Sequence, residues 1–393
     1  MKTAYKFRIY PTNQQEAELE YAQYALEVCR LLCNDALADR RNIWKIWKEV
    51  GISRTYNRQA ALLIIEKEHG RYSGVYSQVL QDVLRRLSKA FENFFRRVRE
   101  GAKKKGYPRF KSQYKSPTYP QSGFNLEGSR LNLSKISGGI RVFLHRGIEG
   151  AIKTCTIKKD GTGAWYVIFV TESEAPSKVK PKTAIGVDLG ISHAVVTSEG
   201  QCFDYPGYLV QAEKQNRAAQ KSLHRKVKGS HNRKKAQHKL SAIGKRVTNL
   251  REEFLNQVSR KLVDFTDIIV FEDLNISGML KNHNLAKHIQ DVSWGKLIQL
   301  TQSKAERAGR RVVFVDPRNT SQMCSGCGIL VAKDLSERVH VCPVCGLRLD
   351  RDHNAALNIL TLGLRGGAYG DLTSSLKSIS GKRQILEVGS PGL

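Results

Sequence analysis

Three carboxylates sit where a stable fold has little use for them. Residues 184–190 read Ala-Ile-Gly-Val-Asp-Leu-Gly, a short apolar run with Asp188 near its end. Ile185 and Val187 alternate with Gly186 and Asp188, the period of a strand. Residues 268–275, Ile-Ile-Val-Phe-Glu-Asp-Leu-Asn, form a second such run that ends in Glu272. Residues 350–359, Asp-Arg-Asp-His-Asn-Ala-Ala-Leu-Asn-Ile, open a helix with Asp352. An acid in an apolar strand is costly unless something stabilises its charge. Hydrolysis of a phosphodiester at neutral pH needs an activated water and a stabilised leaving oxygen. Two Mg²⁺ ions about 3.5–4 Å apart supply both, held by several acidic oxygens with water retained. Asp188, Glu272 and Asp352, on separate elements about 80 residues apart, meet that need as a set. Taken singly each is weak: Asp352 or Asp350 could cap the helix, and Asp273 competes with Glu272, although alternation turns the two to opposite faces. His193 and His353 read as ordinary polar neighbours of these acids, with His353 a candidate for positioning substrate.

The cysteines carry a second chemistry. Cys324-Ser-Gly-Cys327 is followed after fourteen residues by Cys342-Pro-Val-Cys345. Two Cys-x-x-Cys knuckles supply four thiolates for one tetrahedral Zn²⁺, and a site filled by four cysteines leaves no place for a catalytic water, so the ion is structural. A redox pair would not need the second copy. Cys29, Cys33, Cys155 and Cys202 read as small core residues.

The 393 residues suffice for two or three domains, and 40% hydrophobic composition provides a core. Lys and Arg number 65 against 36 Asp and Glu, a net charge of +29. A surface that basic calls for a polyanion, first of all nucleic acid. No apolar run reaches the roughly 18 residues of a membrane span, and residues 1–10 lack the apolar core of a secretion signal. The expected location is the cytoplasm of a prokaryotic cell, with no membrane partner. Eight cysteines in that reducing compartment argue for metal ligation over disulfides.

Around these sites the periodicity gives a half-buried strand over residues 2–10, and a helix from Thr12, whose capping box includes Gln15, to about Trp47. Gly51–Ser53 breaks it. A helix over about 77–100 follows, with Leu80, Val83, Leu84, Leu87, Phe91, Phe94, Phe95 and Val98 as its apolar stripe. Residues 101–120 combine six Lys/Arg with four aromatics and no acid, a composition suited to gripping a single strand or bent RNA as well as to a basic linker. Strands return over 131–173, where residues 160–163, Asp-Gly-Thr-Gly, mark a hairpin. With the first strand they could close a small barrel. Residues 175–182 form a linker. Beyond it the order is three strands, helix, strand, helix, strand, a mixed sheet with helices. The long polar helical segment in that half holds twelve Lys/Arg and no acid between Lys214 and Arg246. Leu240, Ile243, Val247, Leu250, Phe254, Val258 and Leu262 are its docking stripe. Residues 363–393 read as a loose tail.

In combination these residues resemble the TnpB family of transposon-encoded, RNA-guided DNA nucleases, relatives of the small type V CRISPR effectors. The resemblance rests on Gly186-Val-Asp188-Leu-Gly190, Phe271-Glu272-Asp273-Leu274, Asn319-Thr320-Ser321 ahead of the first knuckle, both knuckles, and Asp350-Arg-Asp352-His-Asn354-Ala-Ala356. Ser77-Gln-Val-Leu-Gln81, residues 90–95 and residues 106–111 agree with the family's N-terminal signature. It implies a multidomain α+β and α/β chain. Residues 1–10 and 121–182 would form a wedge β-barrel, and 11–120 a helical recognition lobe inserted in it. Residues 183–318 and 349–362 would form a RuvC-like RNase H fold interrupted by a zinc ribbon at 319–348. The resemblance also implies Asp188, Glu272 and Asp352 as the Mg²⁺-binding catalytic triad, all unsubstituted. The implied partners are a guide RNA derived from the transposon end and double-stranded target DNA beside a short motif, the division of labour of RNA-guided effectors. A strand-transferring transposase, or an RNA-guided regulator that binds without cutting, are the alternative readings.

Overall fold

The computed structural model describes residues 1–50, 75–112, 116–177, 180–334 and 337–365. The expected break at 51–53 lies outside the described residues. The chain divides into two compact units, 1–174 and 175–393.

The first unit is built on strand β1 (Lys2–Tyr10), whose residues alternate strictly between exposed and buried, with Tyr5, Phe7 and Ile9 inward. Helix α1 (Asn13–Val50) starts on the expected capping box. The Gln15 amide N–H donates to Thr12 Oγ1 at 3.2 Å, and the Thr12 N–H donates to Gln15 Oε1 at 3.1 Å. Helix α2 (Ser77–Arg99) buries Leu80, Val83, Leu84, Leu87 and Phe91. Its stripe stops there: Phe95 and Val98 are exposed, because α2 outruns the core it packs on. Strands β2 (Thr118–Pro120), β3 (Phe124–Glu127), β4 (Arg130–Leu133), β5 (Ile140–Phe143), β6 (Ala151–Lys159) and β7 (Trp165–Glu172) complete a seven-stranded sheet in the order β2-β6-β7-β1-β5-β4-β3. Its end strands, β2 and β3, are joined by a single 3₁₀ turn, Gln121–Gly123, so the sheet curls almost to closure. β6 and β7 form the expected hairpin, with Asp160 Oδ1 accepting from the N–H groups of Thr162 and Ala164. Glu16 on α1 accepts from Lys159 Nζ at 2.8 Å and Trp165 Nε1 at 3.0 Å, which pins the helix to that hairpin.

The second unit holds a five-stranded sheet in the order β10-β9-β8-β11-β12. Its strands are β8 (Ala184–Asp188), β9 (Val195–Thr197), β10 (Cys202–Phe203), β11 (Ile268–Glu272) and β12 (Arg311–Val315). The first three form an antiparallel meander, and β11 runs parallel to both β8 and β12. The basic segment is two helices, α3 (Tyr208–His224) and α4 (His231–Phe265). They are separated by Gly229 at φ +85° and started anew by Ser230, whose hydroxyl accepts from the Arg233 N–H. On α4, Val247, Val258 and Leu262 of the expected stripe are buried and Phe254 packs against the core, while Leu250 faces solvent and Leu255 and Val263 widen the buried face. Two helices absent from the sequence reading, α5 (Ile276–Met279) and α6 (His283–Val292), precede α7 (Trp294–Arg307). Strands β13 (Val339–Val341) and β14 (Arg348–Asp350) form a small ribbon before α8 (Arg351–Arg365).

The two faces of the five-stranded sheet are covered differently. Ile185, Val187, Ile269 and Phe271 join the core that includes Leu255, Leu262 and Leu297. The opposite positions, Ile268 and Val270, pack with Ile359 and Leu360 of α8. That helix comes unusually close. A Cβ on Gly186 would lie 2.1 Å from the Ala356 carbonyl oxygen, and one on Gly363 would lie 2.5 Å from Val270 Cγ1. Gly363 is thus a buried helix residue and not the start of a loose tail. Because the obstacle at Gly186 is backbone, which cannot swing aside, Gly186→Ala is expected to destabilise the fold by at least about 3 kcal/mol, the upper end of ordinary overpacking. A denaturant titration measures it.

Candidate active site and cysteine cluster

The close approach of α8 sets the geometry of the acids. β8 and β11 pair in register through Val187 and Phe271, so Asp188 and Glu272 follow side by side at the carboxyl ends of adjacent parallel strands, which run about 4.8 Å apart. Both lie on the α8 face, since they alternate with Val187 and Phe271 on the other. Asp188 is two residues beyond Gly186 on the strand, about 6.7 Å. Asp352 is four residues before Ala356 on the helix, about 6 Å. Since Gly186 abuts Ala356 and Leu360, the same displacement brings Asp352 over Asp188. The turn between them agrees: a Cβ on Gly190 would lie 3.8 Å from Asp352 Oδ2.

Asp188 is 9% exposed and Glu272 7% exposed. Burial, then the carboxylates of Glu272 and Asp352, push the Asp188 carboxyl well above its usual range. Burial also raises Glu272, opposed by a hydrogen bond from the Thr320 hydroxyl. Asp352 is raised by burial and by Asp350. Among the described residues no lysine, arginine or histidine forms an ion pair with any of the three. Arg351 opposes the rise at Asp188, and Arg338, Arg351 and His193 oppose it at Asp352, but none is in direct contact, and converging acids without an ion-pair partner fit a hard divalent cation.

Neighbouring candidates resolve cleanly. Asp350 is the helix cap: its Oδ1 accepts from the N–H groups of Asp352 at 2.9 Å and His353 at 3.0 Å. Asp273 is exposed. His353 is half-buried, with Nε2 3.2 Å from the Ser198 carbonyl oxygen. His193 pairs with Asp204 at 2.5 Å.

The four predicted cysteines come together. Their sulfurs all lie within 4.8 Å of one another, with Cys324 to Cys345 at 3.6 Å and Cys327 to Cys342 at 3.5 Å. A tetrahedron with Zn–S bonds of 2.3 Å has edges of about 3.8 Å. Gly328 and Gly346, at φ +79° and +74°, close the two knuckle turns. Cys29, Cys33 and Cys155 are buried core residues, whereas Cys202 is exposed. The carboxylates are set wider: among the described residues only the cysteines form a group within 4.8 Å.

The cluster is latched to the acid site. Asn354 and Asn358, both buried on α8, are one turn apart. Asn354 donates to the Met323 carbonyl at 2.8 Å and accepts from the Ser325 N–H at 2.9 Å. Asn358 donates to the carbonyls of Thr320 at 2.8 Å and Met323 at 2.6 Å. The segment they hold begins at Asn319, in the left-handed region at φ +61°, and it delivers the Thr320 hydroxyl to Glu272. Sequence reasoning did not find this latch. Its signal was a pair of amides four residues apart on an apolar helix face. Trp294, also missed, donates Nε1–H to the Gly190 carbonyl at 3.2 Å and fixes the turn after Asp188. Another buried acid, Asp291 on α6, accepts from Tyr205, from the first N–H groups of α3 and from Arg251. It organises that junction and is no part of the acid site.

Two parallel strands thus end in buried acids beneath a helix whose first turn carries a third. Comparison with known proteins supplies the family. Residues 167–283 match a family model described as "Probable transposase", and 294–359 one described as "Cas12f1-like, TNB domain". Residues 1–48 match one described as "Helix-turn-helix domain", although here they form β1 and one long helix. A Streptomyces pristinaespiralis protein named as a candidate RNA-guided DNA endonuclease is 36% identical over 94% of this chain and 92% of its own. InsQ of Escherichia coli (strain K12), named in the same way, is 30% identical over 95% of each. Cas12f1 of Sulfoacidibacillus thermotolerans, a CRISPR-associated endodeoxyribonuclease, is 27% identical over 52% of this chain and 51% of its own. The chain belongs to the TnpB family.

Among the described residues no helix is long and apolar enough to cross a membrane.

Proposed function

We propose that this protein is an RNA-guided endonuclease that hydrolyses target DNA at Asp188, Glu272 and Asp352. The convergence of two buried acids and a half-buried third, none of them in a direct ion pair, carries the reading, and the likeness to relatives named RNA-guided DNA endonucleases, over more than nine-tenths of both chains, supports it. The sheet order β10-β9-β8-β11-β12, with β10, β9 and β8 antiparallel and β8, β11 and β12 parallel, agrees with a RuvC-like RNase H fold for the second unit. The nearly closed first sheet agrees with the wedge barrel. Bound Mg²⁺ would supply an activated water and neutralise the leaving oxygen. Two such ions about 3.5–4 Å apart would clamp the attacking and leaving oxygens of an in-line displacement. Cys324, Cys327, Cys342 and Cys345 suit one structural Zn²⁺.

The side chains divide the work. Asp188 and Glu272, on rigid strand ends, hold their oxygens on one face of the sheet. Asp352 closes the site from the helix, freed for that task because Asp350 takes the capping role. Thr320 orients Glu272 and holds its proton affinity down. Thr320→Val is expected to lower cleavage about ten- to a hundredfold, the usual cost of losing such an orienting bond. It should move the pH at which cleavage sets in upward, because the Glu272 carboxyl then releases its proton less readily. A pH–rate profile at fixed Mg²⁺ measures both effects.

The deciding experiment purifies the protein with its RNA, sequences that RNA, and adds Mg²⁺ and duplex DNA carrying or lacking the complementary stretch. Cleavage of the matched duplex alone is the expected result. Intact matched DNA, or cleavage that survives removal of the RNA, overturns the proposal.

A further inference from the structure

The outer face of the first unit's sheet presents aromatic rings to solvent, and the strand register places a cation beside each. Phe143 on β5 is 56% exposed and Tyr10 on β1 is 47% exposed. One cross-strand row reads Phe143, Arg8, Tyr166, Lys158 over β5, β1, β7 and β6. In the next, Tyr10 stands opposite Arg141. The Arg8 guanidinium lies 5.2 Å from the Tyr10 ring centre, and the His145 ring lies 6.2 Å from that of Phe143. Among the outward positions of β1, β5 and β7 the sole acid is Glu172, at the far end of the sheet opposite Lys2.

Exposed aromatic side chains on a sheet gain nothing from solvent, and these are not sealed by neighbours on their own face. Rings that stand between arginines match the two halves of an unpaired nucleotide: a planar base that stacks and a phosphate that pairs. A duplex would satisfy only the cations, because its base faces are already covered by one another. We propose that this face, centred on Phe143 and Tyr10, is a stacking platform for two or more unpaired nucleotides. The inference rests on the reading that the partner is nucleic acid, and adds where and in what form a stretch of it is held.

The full-length protein is titrated with dye-labelled twelve-residue oligouridine, with oligothymidine of equal length, and with an RNA duplex. In parallel, a 4-thiouridine oligomer is photo-crosslinked and the attachment sites are mapped. Both rings are exposed, so Phe143→Ala and Tyr10→Ala leave the core intact. Each is expected to weaken single-strand binding about fivefold or more, the alanine cost of one stacked base, with duplex binding unchanged and the crosslink at 141–145 lost. Tighter binding of oligouridine than of oligothymidine assigns the platform to RNA; equal binding assigns it to any unpaired strand. Unchanged single-strand affinity in both variants, with crosslinks confined to other segments, overturns the platform and leaves the nuclease reading standing. Failure of the unaltered protein to bind either single-stranded probe also overturns the platform, while the nuclease reading is decided by the cleavage experiment above.

Discussion

Asp188→Asn is expected to lower DNA cleavage at least about a thousandfold while RNA and DNA binding persist. Asparagine keeps the volume and one oxygen, so the helix contact at Gly186 is undisturbed. What it removes is the charge that the site needs for a divalent ion, and losses of a single essential electrostatic group already reach about 10²–10³. The same substitution should stabilise the metal-free protein. The Asp188 carboxyl is raised by burial and by two neighbouring acids. Folding therefore favours its protonated form. From the unfolded value near 4 upward through the raised folded value, the folded state keeps a proton that the unfolded chain has released. Stability falls as pH rises across that window. With no charge at this position the penalty vanishes. In EDTA at pH 8 the variant should melt above the unaltered protein, and the gap should close below about pH 4. Added Mg²⁺ should raise the melting temperature of the unaltered protein and do so far less for the variant, since only a ligand that binds the native state stabilises it. Retained cleavage, or an equal Mg²⁺ response in both proteins, would remove Asp188 from the metal site.

These opposed effects show what the sequence could disclose. A carboxylate in an apolar strand is a local contradiction, visible at Asp188 and Glu272 without coordinates. The cysteine knuckles are visible for the same reason, because four ligands with their turns lie within 22 residues. Periodicity located most strands and the helix ends that carry local caps, as at Thr12. What stayed hidden depends on approach between distant segments. Gly186 looks like any strand glycine until α8 is laid across it. Asp350 and Asp352 are indistinguishable as text, and only the direction of the helix N–H groups separates cap from site. The stripe on α2 reads as continuous core through Val98, yet burial ends at Phe91, because periodicity records a face and not the length of what covers it. Helix α6 is short and begins among polar residues, so its buried Asp291 had no visible partners until Arg251 and Tyr205 were placed beside it.

The latch ties the cysteine cluster to the first turn of α8, which carries Asp352, and to Thr320, which bonds Glu272. If the cluster holds the proposed Zn²⁺, removing that ion by a strong chelator or by Cys342→Ser is expected to abolish cleavage even when Mg²⁺ is plentiful. Structural Zn²⁺ contributes about 10–16 kcal/mol to the folding of small knuckle domains, more than a ribbon with one short strand pair can replace. Once the knuckles open, Asn354 and Asn358 lose the Thr320, Met323 and Ser325 backbone groups that satisfy them. Each stranded amide costs about 1–3 kcal/mol in a buried setting, and the first turn of α8, with Asp352, is the part of the helix that bears the loss. Thr320 leaves Glu272 in the same event. The five-stranded sheet keeps its own cores, so the damage should stay local. Hydrogen exchange over residues 350–359 should speed up on zinc release while exchange in β8 and β11 is preserved, and activity should return when Zn²⁺ is restored. Asn358→Leu separates the latch from the ion: zinc content is expected to stay at one per chain while cleavage falls about tenfold or more, in the range for lost supporting bonds. Full cleavage by zinc-free protein would mean that the acids are held by the sheet and α8 alone.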